Sequence, residues 1–160
     1  MKKPIIITVT AIVIAIYLMS SNKAYATPTE KGLTRKCDAK GCGYYGAPRG
    51  SRKHVGIDFV TDVGEKVFAP VSGKVTRHLY AASDLVHKGI EIVTGNEKHQ
   101  IFYIKPTVSP GSYVKKGQVI GTADDLSKKY GSAMTNHVHH EIEINNKFID
   151  PTYLYDKKLV

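Results

Sequence analysis

From Val55 onward the chain is a succession of short β-type runs, each cut off by Gly, Pro or Asn. "HVGIDFV" (54–60) is followed by the turn-rich "TDVGEK", and "VFAPVSGKVTRHLY" (67–80) carries a Pro-bounded turn at "APVSG". "GIEIVTG" (89–95) alternates apolar and polar residues, and "HQIFYIKP" (99–106) stops at Pro106. "SPGSYVKKGQVIGTA" (109–123) turns at Pro110–Gly111 and Lys116–Gly117. "HVHHEIEINN" (137–146) alternates again, and "KFIDPTYLY" (147–155) follows it. Runs of this length with this punctuation predict strands joined by hairpins. The expected fold is all-β: a single antiparallel β-sheet or β-sandwich domain with long loops. The one helical candidate is "ADDLSKKYG" (123–131), with Asp124 or Asp125 as a possible cap.

The 160 residues suffice for one folded domain. Lys2 and Lys3, an apolar run from Pro4 to Met19 and "AYA" at 24–26 have the three parts of a secretory signal peptide, with removal after Ala26. The run is short for a bilayer, which needs roughly 17–25 residues. No stable membrane insertion is expected after cleavage. Removal of Lys2, Lys3 and Lys23, with no acid, takes the formal charge from +9 to +6. A basic exported protein is drawn to anionic surfaces such as cell-wall polymers. The lysines are scattered rather than interleaved with aromatics, so nucleic acid is not an expected partner. The expected location is periplasmic or extracellular. Residues 27–53 form a loop-rich N-terminal segment, and 54–160 the main domain. Both cysteines, Cys37 and Cys42, sit in "CDAKGC". Export favours a disulfide between them, whereas half of a zinc site lacks its second ligand pair.

Alternate residues of a strand share a face, so His137 and His139 point the same way, with Glu141 one step on and His140 opposite. His54 and Asp58 are four apart across Gly56, where a bulge or a close backbone approach can let both side chains converge. Two imidazoles and a carboxylate with one position left for water suit a catalytic zinc. Taken singly, the same residues also read as a solvated His54, a surface Asp58 and a half-exposed His pair.

"HVGIDF", "KVFAPVSGKV", "VKKGQVIG" and "HVHHEIEI" occur in the order of the lysostaphin/LytM-type zinc metallopeptidases, which the chain resembles from about His54 to Glu143. The resemblance implies one Zn2+ held by His54, Asp58 and His139, with His137 at a catalytic position. It implies hydrolysis of peptide bonds in peptidoglycan by zinc-activated water. "RKCDAKGCGYYGAPRGSRKHVGID", "FYIKP", "HVH" and "DPTYL" resemble more closely the leukocyte cell-derived chemotaxin branch, secreted relatives regarded as lacking peptidase activity. That likeness includes both cysteines and supports their pairing.

One position departs from the active enzymes. They carry Y-x-H on a central strand, and here "YIK" puts Lys105 in place of the His. A Lys with a pKa of about 10.4 is a poor general base at neutral pH. Lys105 or Tyr103 can instead take an oxyanion or groove role, and Tyr44 and Tyr45 are further groove candidates. His78, His87, His99 and His140 are not expected to substitute. Two functions therefore stand: a zinc metalloendopeptidase of peptidoglycan, or a catalytically weak or inactive zinc-stabilised module that binds a cell-wall, glycan or protein ligand. A lipoyl- or biotinyl-type carrier, suggested by "APVSGKV" and "VKKGQVIG", lacks an acceptor lysine in the right context.

Overall fold

A computed structural model describes residues 25–81 and 85–155. Most of the expected signal peptide, residues 1–24, lies outside the described residues. The strands are β1 (Cys37–Asp38), β2 (Gly41–Cys42), β3 (Pro48–Arg49), β4 (Arg52–Lys53), β5 (Gly56–Val60), β6 (Lys66–Phe68) and β7 (Gly73–Tyr80). They continue as β8 (Lys88–Thr94), β9 (Glu97–Phe102), β10 (Ile104–Pro106), β11 (Tyr113–Val114), β12 (Val119–Ala123), β13 (His137–Ile144) and β14 (Lys147–Phe148). The helical candidate supplies a single turn, α1 (Ser127–Tyr130), because Ala123 is taken up by β12. Asp125 serves that turn by accepting from the Ser127 N–H at 3.0 Å.

The main sheet runs β11-β7-β8-β9-β13, and β5 and β14 share the far edge of β13. A second sheet has the order β10-β12-β6. All named pairings are antiparallel, and both sheets contribute to one apolar core. Period-two alternation explains the packing. Ile57, His140 and Ile101 are register partners on neighbouring strands, and all three are fully buried. The next residues along, Asp58, His139 and Phe102, are also register partners and must face the other side of the sheet. The register that fills the core thus lines up the polar residues.

Tyr25 belongs to this folded body. It forms a parallel bridge with Tyr155, is 4% exposed, and meets the His99 ring edge-on at 4.8 Å. Beneath the sheet, His99 Nδ1 and His140 Nε2 are 3.2 Å apart, and His140 Nδ1 lies 2.8 Å from the Tyr155 hydroxyl. These two histidines satisfy one another and their neighbours inside the core, away from the groove on the opposite face.

Candidate metal centre

His54 sits just before β5 and closes a tight loop: its N–H donates to Ala47 O, and its carbonyl accepts from Gly46 N. Its ring is oriented by a bond from Nδ1 to Tyr44 O at 2.8 Å. A carbonyl only accepts, so Nδ1 carries the proton and Nε2 turns a lone pair inward. On β13, His139 Nε2 lies 2.8 Å from Glu141 Oε1, so it donates there and Nδ1 faces inward. Asp58 supplies a third inward atom, Oδ1.

These three atoms form a tight triangle. Nε2 of His54 is 3.0 Å from Nδ1 of His139 and 3.2 Å from Asp58 Oδ1, and the last two are 2.8 Å apart. In the neutral rings all three are acceptors, and acceptors at this distance repel unless a proton or a cation lies between them. Ligands of a four-coordinate zinc at its usual bond lengths lie about 3.3 Å from one another. The donor set fits such an ion, and His54, Asp58 and His139 form the cluster suited to a metal among the described residues. Both rings pass their outward N–H to a carbonyl or carboxylate, the arrangement that fixes a ligand's tautomer and raises its basicity.

The local field favours a cation. Burial works against the Asp58 carboxylate, but the hydrogen bonds to His139 and His54 outweigh it and hold its pKa well below the usual range. Burial also opposes charge on His139, yet Asp58 and Glu141 lift it to about 9 in the metal-free chain. Gly56 makes the arrangement possible. A Cβ there would lie 2.5 Å from His140 O and 2.6 Å from His139 Cε1. The sequence left a bulge or a close approach open at Gly56; the structure shows regular pairing, opposite Glu141, with close approach.

His137 stands on the same face, and its Nε2 is 3.6 Å from Asp58 Oδ2. Nδ1 donates to Thr135 O at 2.7 Å, which leaves Nε2 as an acceptor. Burial, only partly offset by the Asp58 charge, draws its pKa down to about 4, so the ring is neutral at pH 7. Tyr103 meets His137 edge-on at 5.2 Å and holds a left-handed backbone (φ 65°), unusual for a bulky residue. Burial, reinforced by Tyr130, raises its phenol pKa, so the hydroxyl stays a donor.

Tyr103 lines the groove of the candidate metal centre; Lys105 instead lines a separate cavity with His87 and Asp124. Its ammonium is 3.8 Å from Asp124 Oδ1, and the side chain is 64% exposed. In that cavity's wall, His87 Nδ1 lies 2.8 Å from Asp124 Oδ2. His78 lies outside both the groove and this cavity, with its Nε2 3.0 Å from Val108 O. Tyr44 contributes its carbonyl rather than its ring, and Tyr45 packs against the core. The groove also holds Phe102 and Tyr80, and Lys40, Arg49, Arg52 and Lys53 give it a basic wall. Cys37 and Cys42 form a disulfide and close the β1–β2 hairpin. Sequence reasoning missed Arg35, whose guanidinium binds the back of Asp58, and gave Glu141 no role beyond its position.

Comparison with known proteins decides the family. Peptidase family M23 matches residues 52–151, which include His54, Asp58, His137 and His139. The chain belongs to peptidase family M23. It is 37% identical to leukocyte cell-derived chemotaxin-2 of Bos taurus over 120 residues, 74% of this chain and 76% of the relative. Among solved structures, a zinc containing peptidase from Vibrio cholerae shares the fold with a TM-score of 0.60 and 24% identity, covering 86% of this chain and 41% of that one. The catalytic domain of lysostaphin, an antimicrobial peptidase from Staphylococcus simulans, matches with a TM-score of 0.53 and 27% identity, over 68% of this chain and 85% of the domain. The chain spans only 33% of the larger Helicobacter pylori protein Csd3, with which it also shares its fold.

Proposed function

We propose that this M23 protein is an exported zinc metalloendopeptidase that hydrolyses peptide bonds in peptidoglycan. The observation that carries the reading is the triangle of inward acceptors beside a neutral His137. A zinc ion held by His54, Asp58 and His139 would supply an acidified water and polarise the scissile carbonyl. His137 Nε2, free to accept, takes the proton of the attacking water and returns it to the leaving amine. Thr135 O fixes the tautomer that makes this possible. The Tyr103 hydroxyl donates toward the developing oxyanion, and the basic wall suits an anionic cell-wall peptide. Export agrees with the Cys37–Cys42 disulfide.

A second reading is a zinc-stabilised binding module for a cell-wall, glycan or protein ligand. Lys105 favours it: the residue at the Y-x-H position lines another cavity, which leaves His137 as the proton-handling His of the groove. The test is digestion of purified peptidoglycan by zinc-loaded protein, with mass spectrometry of the released peptides. New peptide ends that vanish in His137→Ala and His139→Ala establish the hydrolase and identify the bond. One equivalent of bound zinc with no new ends establishes the binding module instead.

A further inference from the structure

Asp58 turns Oδ1 toward His54 and His139; its other oxygen is held by Arg35, with His137 Nε2 at 3.6 Å and Arg49 Nη2 at 3.7 Å. Arg35 Nε and Nη2 donate to Asp58 Oδ2 at 3.0 and 2.9 Å. Both side chains are about 2% exposed. The third arm of the same guanidinium, Nη1, donates to Asp38 Oδ2 at 2.7 Å and to Gly41 O at 3.0 Å. Asp38 and Gly41 are the register pair next to Cys37 and Cys42 in the disulfide-closed hairpin. Asp38 Oδ2 also accepts from the Thr135 N–H at 2.9 Å, and Thr135 O receives the His137 Nδ1–H. One carboxylate on the hairpin therefore reaches both a metal-ligand candidate and the neutral His137.

The backbone runs parallel to this relay. Arg35 N–H donates to Asp58 O, and Asp58 N–H donates to Gly43 O. A Cβ on Gly43 would lie 2.6 Å from Arg35 O and 2.9 Å from Asp58 Cβ, so the hairpin segment is packed hard against the ligand strand. The fork of contacts needs a planar guanidinium, which a lysine cannot replace.

We propose that Arg35 and Asp38 are positioning residues of the metal centre, and that the Cys37–Cys42 hairpin is the brace that holds them. Arg35 holds Asp58 Oδ2 with two hydrogen bonds and so leaves Oδ1 as the oxygen that completes the triangle. Asp38 sets the Arg35 plane and the Thr135 peptide together. The hairpin lies N-terminal to the matched M23 region, which begins at residue 52. The brace is thus an addition to that unit.

The proposal rests on the metal reading of the groove, and its test does not use hydrolysis. Full-length protein is titrated with zinc against a chromophoric chelator, and cobalt is used as a spectroscopic probe of the same centre. The variants are Arg35→Lys, Asp38→Asn and Cys37→Ser/Cys42→Ser. Zinc affinity should fall about 10- to 100-fold in Arg35→Lys and about 10-fold in Asp38→Asn, the range seen when the partners of metal ligands are lost. The visible cobalt bands should weaken in Arg35→Lys as Asp58 turns both oxygens inward and coordination rises. A merely structural role would lower Tm without moving those bands. Asp38→Asn keeps the size of the side chain and the disulfide, so it decides the matter if Arg35→Lys does not fold. The double serine variant serves in the same way. Wild-type affinity and wild-type cobalt bands in any folded variant of Arg35 or Asp38 overturn the proposal. A wild type that binds no zinc overturns the metal centre itself.

Discussion

Gly56→Ala tests whether the metal triangle depends on the close approach of two strands. The added Cβ would lie 2.5 Å from His140 O, 2.6 Å from His139 Cε1 and 2.9 Å from His139 Nε2. Carbon contacts normally lie at about 3.5–4.0 Å, so something must move by about 1 Å. His140 O is backbone of the paired β13, and the His139 ring is pinned between Asp58 and Glu141. Neither can yield without parting β5 from β13 or turning Nδ1 out of the triangle. Overpacking of this kind costs roughly 1–3 kcal/mol, or a Tm lower by about 2–12 °C for a chain of this size. Zinc affinity should fall by about 100-fold, at or beyond the upper end of what loss of a ligand's support produces. The assay is chelator competition, with melting curves recorded with and without zinc. Gly117→Ala is the control. Gly117 also has an unusual backbone (φ 79°), but its Cβ would meet nothing within 4 Å. It should lose about 1–2 kcal/mol from the left-handed backbone alone and keep its zinc. A Gly56→Ala protein that binds zinc within about threefold of the wild type would falsify the argument.

Three further outcomes are expected. Glu141→Ala removes the acceptor that orients His139 and should weaken zinc binding about 10- to 100-fold with little change in the circular dichroism of the sheet; unchanged affinity would mean that Asp58 alone sets the ring. Asp38 is held down to about 2 against the pull of burial, by the Thr135 and Lys40 N–H groups and Arg35. The unfolded chain therefore takes up this proton first as the pH drops from about 3.8 to 2, and stability on the order of 1–2 kcal/mol is lost in that window and retained above it. Urea titrations of the wild type and Asp38→Asn should differ in pH slope there, and parallel slopes would refute the assignment. A chain that begins at Thr27 lacks the Tyr25 ring and its hydroxyl bond to Glu97, and should melt about 10 °C below one that begins at Tyr25; superimposable melts would show that Tyr25 adds nothing to the core.

What the sequence showed of this site follows from the range over which each interaction acts. Strand alternation is local, so "HVHHE" already separates His139 and Glu141 from His140, and the register then fixes which face is buried. The cysteine pair is local too, and hairpin closure needs only the short "CDAKGC" loop. Arg35 left no such trace. Its partner Asp58 is 23 residues away, and an Arg beside Lys36 in "TRKCD" reads as surface charge until the fold buries it. The same limit explains Lys105. Its motif position promised a place in the groove, but side-chain direction after Tyr103 depends on that residue's left-handed backbone, which spacing does not reveal. Motif order thus points to the candidate ligands, while the Arg35 guanidinium that orients Asp58 comes from a segment distant in sequence. The Arg35–Asp38 relay adds such groups from outside the matched region, so transfer of that region alone, from residue 52 onward, would leave Asp58 without its partner on Oδ2.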